Sequence, residues 1–208
     1  MRDLKIRQDK FWGNISNDPA RTGDSDSNSD NQVSMANNRI YFYSEVTRPD
    51  CLNLNRNIQT LSDAMVNTSH SYGVPIPPIK LHINSYGGSV FAGLSSVDYI
   101  ASSRSPIHSI IEGCAASAAT IMSVVAEKRY MRKNAFMLIH QLSSGMWGKY
   151  EELKDDMENN ERLMETIRDI YNNHTKIPKK KLNEILKHDL WFDSDTCLEY
   201  GLVDEIIS

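Results

Sequence analysis

The sequence predicts an α/β domain built on a largely parallel sheet. Short β-branched runs alternate with amphipathic stretches at helical spacing, and small residues mark the strand-to-helix junctions. In addition, a long amphipathic stretch from Tyr150 to His174 predicts one helix longer than such a domain needs.

In chain order, residues 1–38 read as a flexible polar N-terminal arm. The part from residue 14 onward is dominated by Ser, Asp and Asn and offers too little apolar surface to offset the entropy of ordering it. The folded domain is expected over residues 39–208. Residues 40–43 are rich in strand formers and residues 52–65 look helical, whereas HSYGVPIPP, with three prolines and a glycine, reads as a loop. Residues 79–84 are expected as a strand and Gly87-Gly88 as a turn. A helix follows with Val90, Leu94, Val97 and Ala101 on one face. Residues 106–112 read as a second strand, and 116–126 as a short helix apolar enough to be buried. Residues 129–131 and 136–140 are expected as the two arms of a hairpin turning at Lys133-Asn134. In the long helix, Tyr150, Leu153, Met157, Met164, Ile167 and Tyr171 form an apolar stripe broken at Asn160. Such a stripe suits core packing or packing between subunits.

Charge and composition exclude several classes. The 208 residues carry 23 Lys+Arg against 27 Asp+Glu, a net charge of -4, with no basic stripe for nucleic acid. No apolar run approaches the roughly 18 residues of a membrane span. The start, MRDLKIRQDKFW, has charge but no apolar core after it, unlike a secretory signal. A cytoplasmic chain without nucleic-acid or membrane partners is therefore expected. Cys51, Cys114 and Cys197 form no CxxC and read as reduced thiols. His70, His82, His108 and His174 show no ligand spacing, so no metal is expected.

Three places could carry chemistry. In NSYGGS (residues 84–89) a glycine pair lies between strand and helix, where backbone N–H groups can face a ligand. In GCAASAA (residues 113–119) small residues lead into a buried helix that begins at Ser117, a position where serine commonly serves as a plain cap. The third is His140, at a predicted strand end, where α/β proteins place reactive groups. Spacing alone does not join them. Cys114 and His188 stand as rival nucleophile and base.

The ordered blocks INSYGGSVFAGLSSVDYI, EGCAASAAT, MLIHQ, HDLWFD and EYGLVDEII resemble the ClpP family, the proteolytic subunit of the Clp protease, from about Arg39 to the C-terminus. The resemblance implies a ClpP/crotonase-like fold with a mostly parallel sheet and a long handle helix. It also implies serine endopeptidase activity on unfolded polypeptides. Carried over by motif, Ser117 is the nucleophile, His140 the base and Asp189 the triad carboxylate, with the N–H groups of Gly88 and Ala118 as oxyanion hole. A homo-oligomeric ring is implied, heptameric and stacked in pairs, with an AAA+ unfoldase as partner. ATP is used by that partner alone, and this subunit needs no cofactor.

Some positions depart from the family pattern. Tyr86 and Leu142 stand where prolines are usual, Ala118 where methionine is common, and Lys187-His188 where an arginine often precedes the aspartate. The polar arm replaces the family's gating segment. Three rivals stay open: a virus-encoded peptidase of this fold trimming capsid proteins without an unfoldase, a catalytically silent ring partner, and acyl-CoA chemistry of the crotonase type. Unfoldase binding separates the first. The intact Ser-His-Asp set argues against the second, and a Ser-His pair in place of acidic catalysts against the third.

Overall fold

Apolar, β-branched segments form the centre of the sheet in the computed structural model, which describes residues 33–208. Strand β3 (Ile79–Ser85) and strand β4 (Ile107–Ala116) pair in parallel, and Ile79, Leu81, Ile83 and Ile111 are fully buried. Strand β2 (Arg39–Phe42) lies parallel to β3, and β1 (Val33–Ala36) closes that edge antiparallel to β2. On the other side β5 (Lys128–Arg132) and β6 (Phe136–Leu138) both pair with β4. Strand β8 (Glu205–Ile207) lies parallel to β5, and the short β7 (Trp191–Phe192) antiparallel to β6. The sheet is mostly parallel, as expected.

Helix α1 (Arg48–Tyr72) begins at Thr47, whose hydroxyl accepts from the Asp50 N–H. Pro49 sits in its first turn, where no intrahelical donor is lost. It stops at Gly73, which takes a left-handed φ of 63°. Leu54, Ile58 and Leu61 turn its apolar face to the core shared with α2 (Val90–Ala101) and α3 (Ala118–Val124). Every residue of α3 is buried. Helix α4 (Tyr150–His174) is as long as the sequence predicts, but only Ile167 and Tyr171 of its stripe are buried, against α3. Helices α5 (Lys179–Ile185) and α6 (Ser194–Glu199) flank β7 in the chain.

The structure corrects five expectations. Regular structure begins at Val33, so the expected arm over 1–38 gives up its last residues to β1 and its turn at Asn37 (φ 55°); residues 1–32 lie outside the described residues. Helix α1 runs on through His70–Tyr72, because Gly73 rather than the prolines ends it, and only residues 74–78 form the loop. Strand β4 continues four residues past Glu112. The buried helix is shorter, beginning after Ser117 rather than before it. No hairpin forms between β5 and β6. Both run parallel to β4, pairing Met131 with Ile111 and Phe136 with Cys114, and Lys133-Asn134 form the expected turn, but between two pieces of one interrupted strand.

Candidate active site

The register of three strands brings the candidate residues together. Ala116, last residue of β4, pairs with Leu138, last residue of β6, and the Ser117 N–H donates to the Leu138 carbonyl at 2.9 Å. Ser117 and His140 therefore leave neighbouring parallel strands at the same level. Strand β7 runs antiparallel to β6 with Leu138 opposite Trp191. Continued two residues, that register sets Asp189 opposite His140. The Gln141 N–H donates to the Leu186 carbonyl at 2.7 Å and holds the two segments together there. His140 Nδ1 and Asp189 Oδ1 are 3.0 Å apart. With Nδ1 engaged by the carboxylate, Nε2 is the ring nitrogen left to serve a hydroxyl.

Ser117 stands between β4 and α3 with φ 54° and ψ −126°, a conformation that non-glycine residues rarely hold. Its hydroxyl makes no capping bond to α3. The left-handed turn and the absent capping bond set Ser117 apart from a plain N-cap.

The glycine pair packs on this turn. A Cβ at Gly87 would lie 2.6 Å from the Ala116 oxygen and 2.7 Å from Ser117 Cβ, so only glycine allows the approach. Gly88 forms a parallel bridge with Val46, which bonds through the Gly87 carbonyl and the Ser89 N–H, 2.8 Å each. The N–H of Gly88 points away from Val46 as a result. Gly88, Ser117, Ala118 and His140 line one cleft. Val90, Ile121, Leu142, Ile167 and Tyr171 add an apolar wall, and Gln141 and Ser143 complete the lining. The Leu142 N–H donates to Met164 Sδ at 3.1 Å and anchors the rim to α4.

Every residue carried over by motif thus reaches the same neighbourhood, four on the cleft wall and Asp189 on the far side of His140. Asp189 is the exposed member, with 78% of its side chain accessible against 21% for His140. Of the rivals, Cys114 is buried, its thiol near Asn84 Oδ1 and the Ser85 carbonyl, and burial pushes its pKa up, away from a thiolate. His188 is exposed in the turn after α5, where its N–H donates to the Ile185 carbonyl at 3.0 Å. The sequence reading missed two residues beside Ser117. Thr120 was not singled out, and Tyr171 was counted only as stripe. A threonine hydroxyl one helical turn after the serine, in a mostly apolar helix, was the available signal for Thr120.

A serine and a carboxylate-paired imidazole at one cleft are the groups that acyl transfer through a serine requires. Known proteins agree with that class. A family model of the Clp protease matches residues 37–208. The ATP-dependent Clp protease proteolytic subunit of Deinococcus radiodurans is 32% identical over 135 residues, covering 64% of this chain and 66% of the relative. That of Streptococcus mutans is 35% identical over 150 residues, 70% of this chain and 72% of the relative. The match to the first relative thus spans just under two thirds of its length. A mutant of ClpP1 from Listeria monocytogenes shares the fold with a TM-score of 0.72 at 23% identity, covering 83% of this chain and 92% of that one. The chain belongs to the Clp protease family.

Proposed function

We propose that the chain is a serine endopeptidase that cleaves unfolded polypeptides with Ser117 as nucleophile, His140 as general base and Asp189 as its orienting carboxylate. The observation that carries this reading is the 3.0 Å His140–Asp189 contact on a strand register that also delivers Ser117. In the reaction His140 Nε2 takes the Ser117 proton as the hydroxyl attacks the peptide carbonyl. The N–H groups of Gly88 and Ala118 receive the oxygen as it gains charge, at the start of α3. His140 then returns the proton to the leaving amine, and water resolves the acyl-enzyme by the same path. This subunit needs no cofactor for these steps.

The working assembly is a homo-oligomeric ring, heptameric and stacked in pairs, fed by an AAA+ unfoldase that uses ATP in the cytoplasm. The relatives' status as subunits of an ATP-dependent protease supports this. So does the exposure of Asp189: walls that exclude water around it would strengthen its hold on His140. The test is a fluorophosphonate probe with intact-mass readout. The native chain is expected to gain one adduct at Ser117 and to hydrolyse a fluorogenic peptide. Ser117→Ala should do neither, losing about 10⁴-fold or more in rate. Equal hydrolysis by both chains would overturn the assignment.

A further inference from the structure

Thr120 lies one helical turn after Ser117, and its hydroxyl donates to the Ser117 carbonyl at 2.6 Å, beside its own backbone N–H at 3.0 Å. A threonine hydroxyl has one proton, and here the Ser117 carbonyl takes it. The 2.5 Å contact between Thr120 Oγ1 and the Tyr171 hydroxyl therefore has the phenol as donor. Both side chains are buried, Thr120 fully and Tyr171 to 1% exposure. Burial also pushes the Tyr171 phenol far up, so it keeps its proton at any working pH. Hydroxyls in such a place cost stability unless they are paired.

The Ser117 carbonyl and the Ala118 N–H belong to one planar peptide unit. Whatever holds the carbonyl also aims the N–H, and two donors on the oxygen polarise the amide so that its N–H donates more strongly. We propose that Thr120 and Tyr171 are positioning residues for the oxyanion hole, holding the Ser117–Ala118 peptide plane so that the Ala118 N–H faces the substrate oxygen as it gains charge. The proposal rests on the reading of Ser117 as nucleophile. Because Tyr171 comes from α4, it also ties the long helix to the nucleophile turn.

The test uses the full chain, a fluorogenic peptide, and a peptide aldehyde whose hemiacetal oxygen occupies the oxyanion position. Thr120→Val should lower kcat about 10-fold, leave KM within about 2-fold, and weaken the aldehyde by the same factor as kcat/KM. Thr120→Ser, which keeps the hydroxyl, should stay within about 3-fold of the native chain on all three measures. The double variant Thr120→Val with Tyr171→Phe leaves no buried hydroxyl unpaired. It should regain the thermal stability that Thr120→Val loses, but not the activity. The proposal is overturned if this double variant, folded and assembled like the native chain, keeps kcat within about 2-fold. It is equally overturned if the loss falls on KM alone with aldehyde binding unchanged. Ser117→Ala is run alongside: hydrolysis at the native rate by that variant would remove the underlying reading itself, an outcome separate from any result at Thr120.

Discussion

Gly87 stands where one added methyl group would enter the nucleophile turn. Its φ of 93° already disfavours any other residue, and the nearest atoms belong to Ala116 and Ser117. Gly87→Ala is expected to cost about 2–4 kcal/mol in urea unfolding, a strained dihedral added to an overpacked contact. Peptide hydrolysis should fall with it. Gly73→Ala is the control, because its φ of 63° is also left-handed but nothing lies within 4 Å. It should cost about 1 kcal/mol and leave hydrolysis untouched. A Gly87→Ala chain as stable and active as this control would show that the close approach does not matter. At this scale the motifs supplied the candidate residues, and their roles rest on the resemblance. Ser117, His140, Asp189, Gly88 and Ala118 could be written down from the resemblance, whereas Gly87 read simply as half of a turn. The pairing of Thr120 with Tyr171 was not legible, because a hydroxyl pair between two helices leaves no trace in the periodicity of either.

Among the elements, the one-turn C-terminal latch of α4 invites a direct test. Arg129, at the start of β5, bonds the Asp204 carboxylate, the Gly201 carbonyl and the His174 carbonyl. It thereby joins the end of α4 to the approach to β8. Burial alone would raise the Asp204 pKa, but hydrogen bonds and charge from Arg129 more than offset it, and the net shift is downward. A depressed carboxylate stabilises the fold above its unfolded value of about 3.9 and loses that contribution as pH falls through the folded value. Asp204→Asn should therefore lower Tm at pH 7 by about 1–3 °C, a modest effect because the carboxylate is partly exposed. The gap should close between pH 4 and pH 2; a gap that persists at low pH would mean that charge is not the cause. Long elements were legible from pattern, and α4 was bounded correctly at both ends. The errors fell where one local signal serves two structures. Lys133-Asn134 reads the same in a hairpin as in an excursion of a single strand, and the choice is made by pairing with β4, which no local window contains. Strand β1 was hidden because its four residues adjoin a polar stretch and are buried only at Val33.

At the scale of the molecule, the apolar stripe of α4 is only half used. Ile167 and Tyr171 are buried, but Met157 is 54% and Tyr150 74% exposed, and Trp147 just before the helix is 95% exposed. An apolar face of this kind suits contact with another subunit. Met157→Lys is expected to lower the particle mass measured by light scattering while far-UV circular dichroism stays the same. An unchanged mass would place the subunit contacts elsewhere. The mostly parallel sheet was legible from the alternation of elements, but the order of its strands was not. The interrupted strand beside β4 has a further consequence. Each of its two pieces takes its register from β4 independently, so residues 132–135 connect two positions that are already set. Chain length can grow or shrink in that excursion without moving His140 relative to Ser117, which leaves this stretch as a place where the protein can vary in size while its chemistry keeps its spacing.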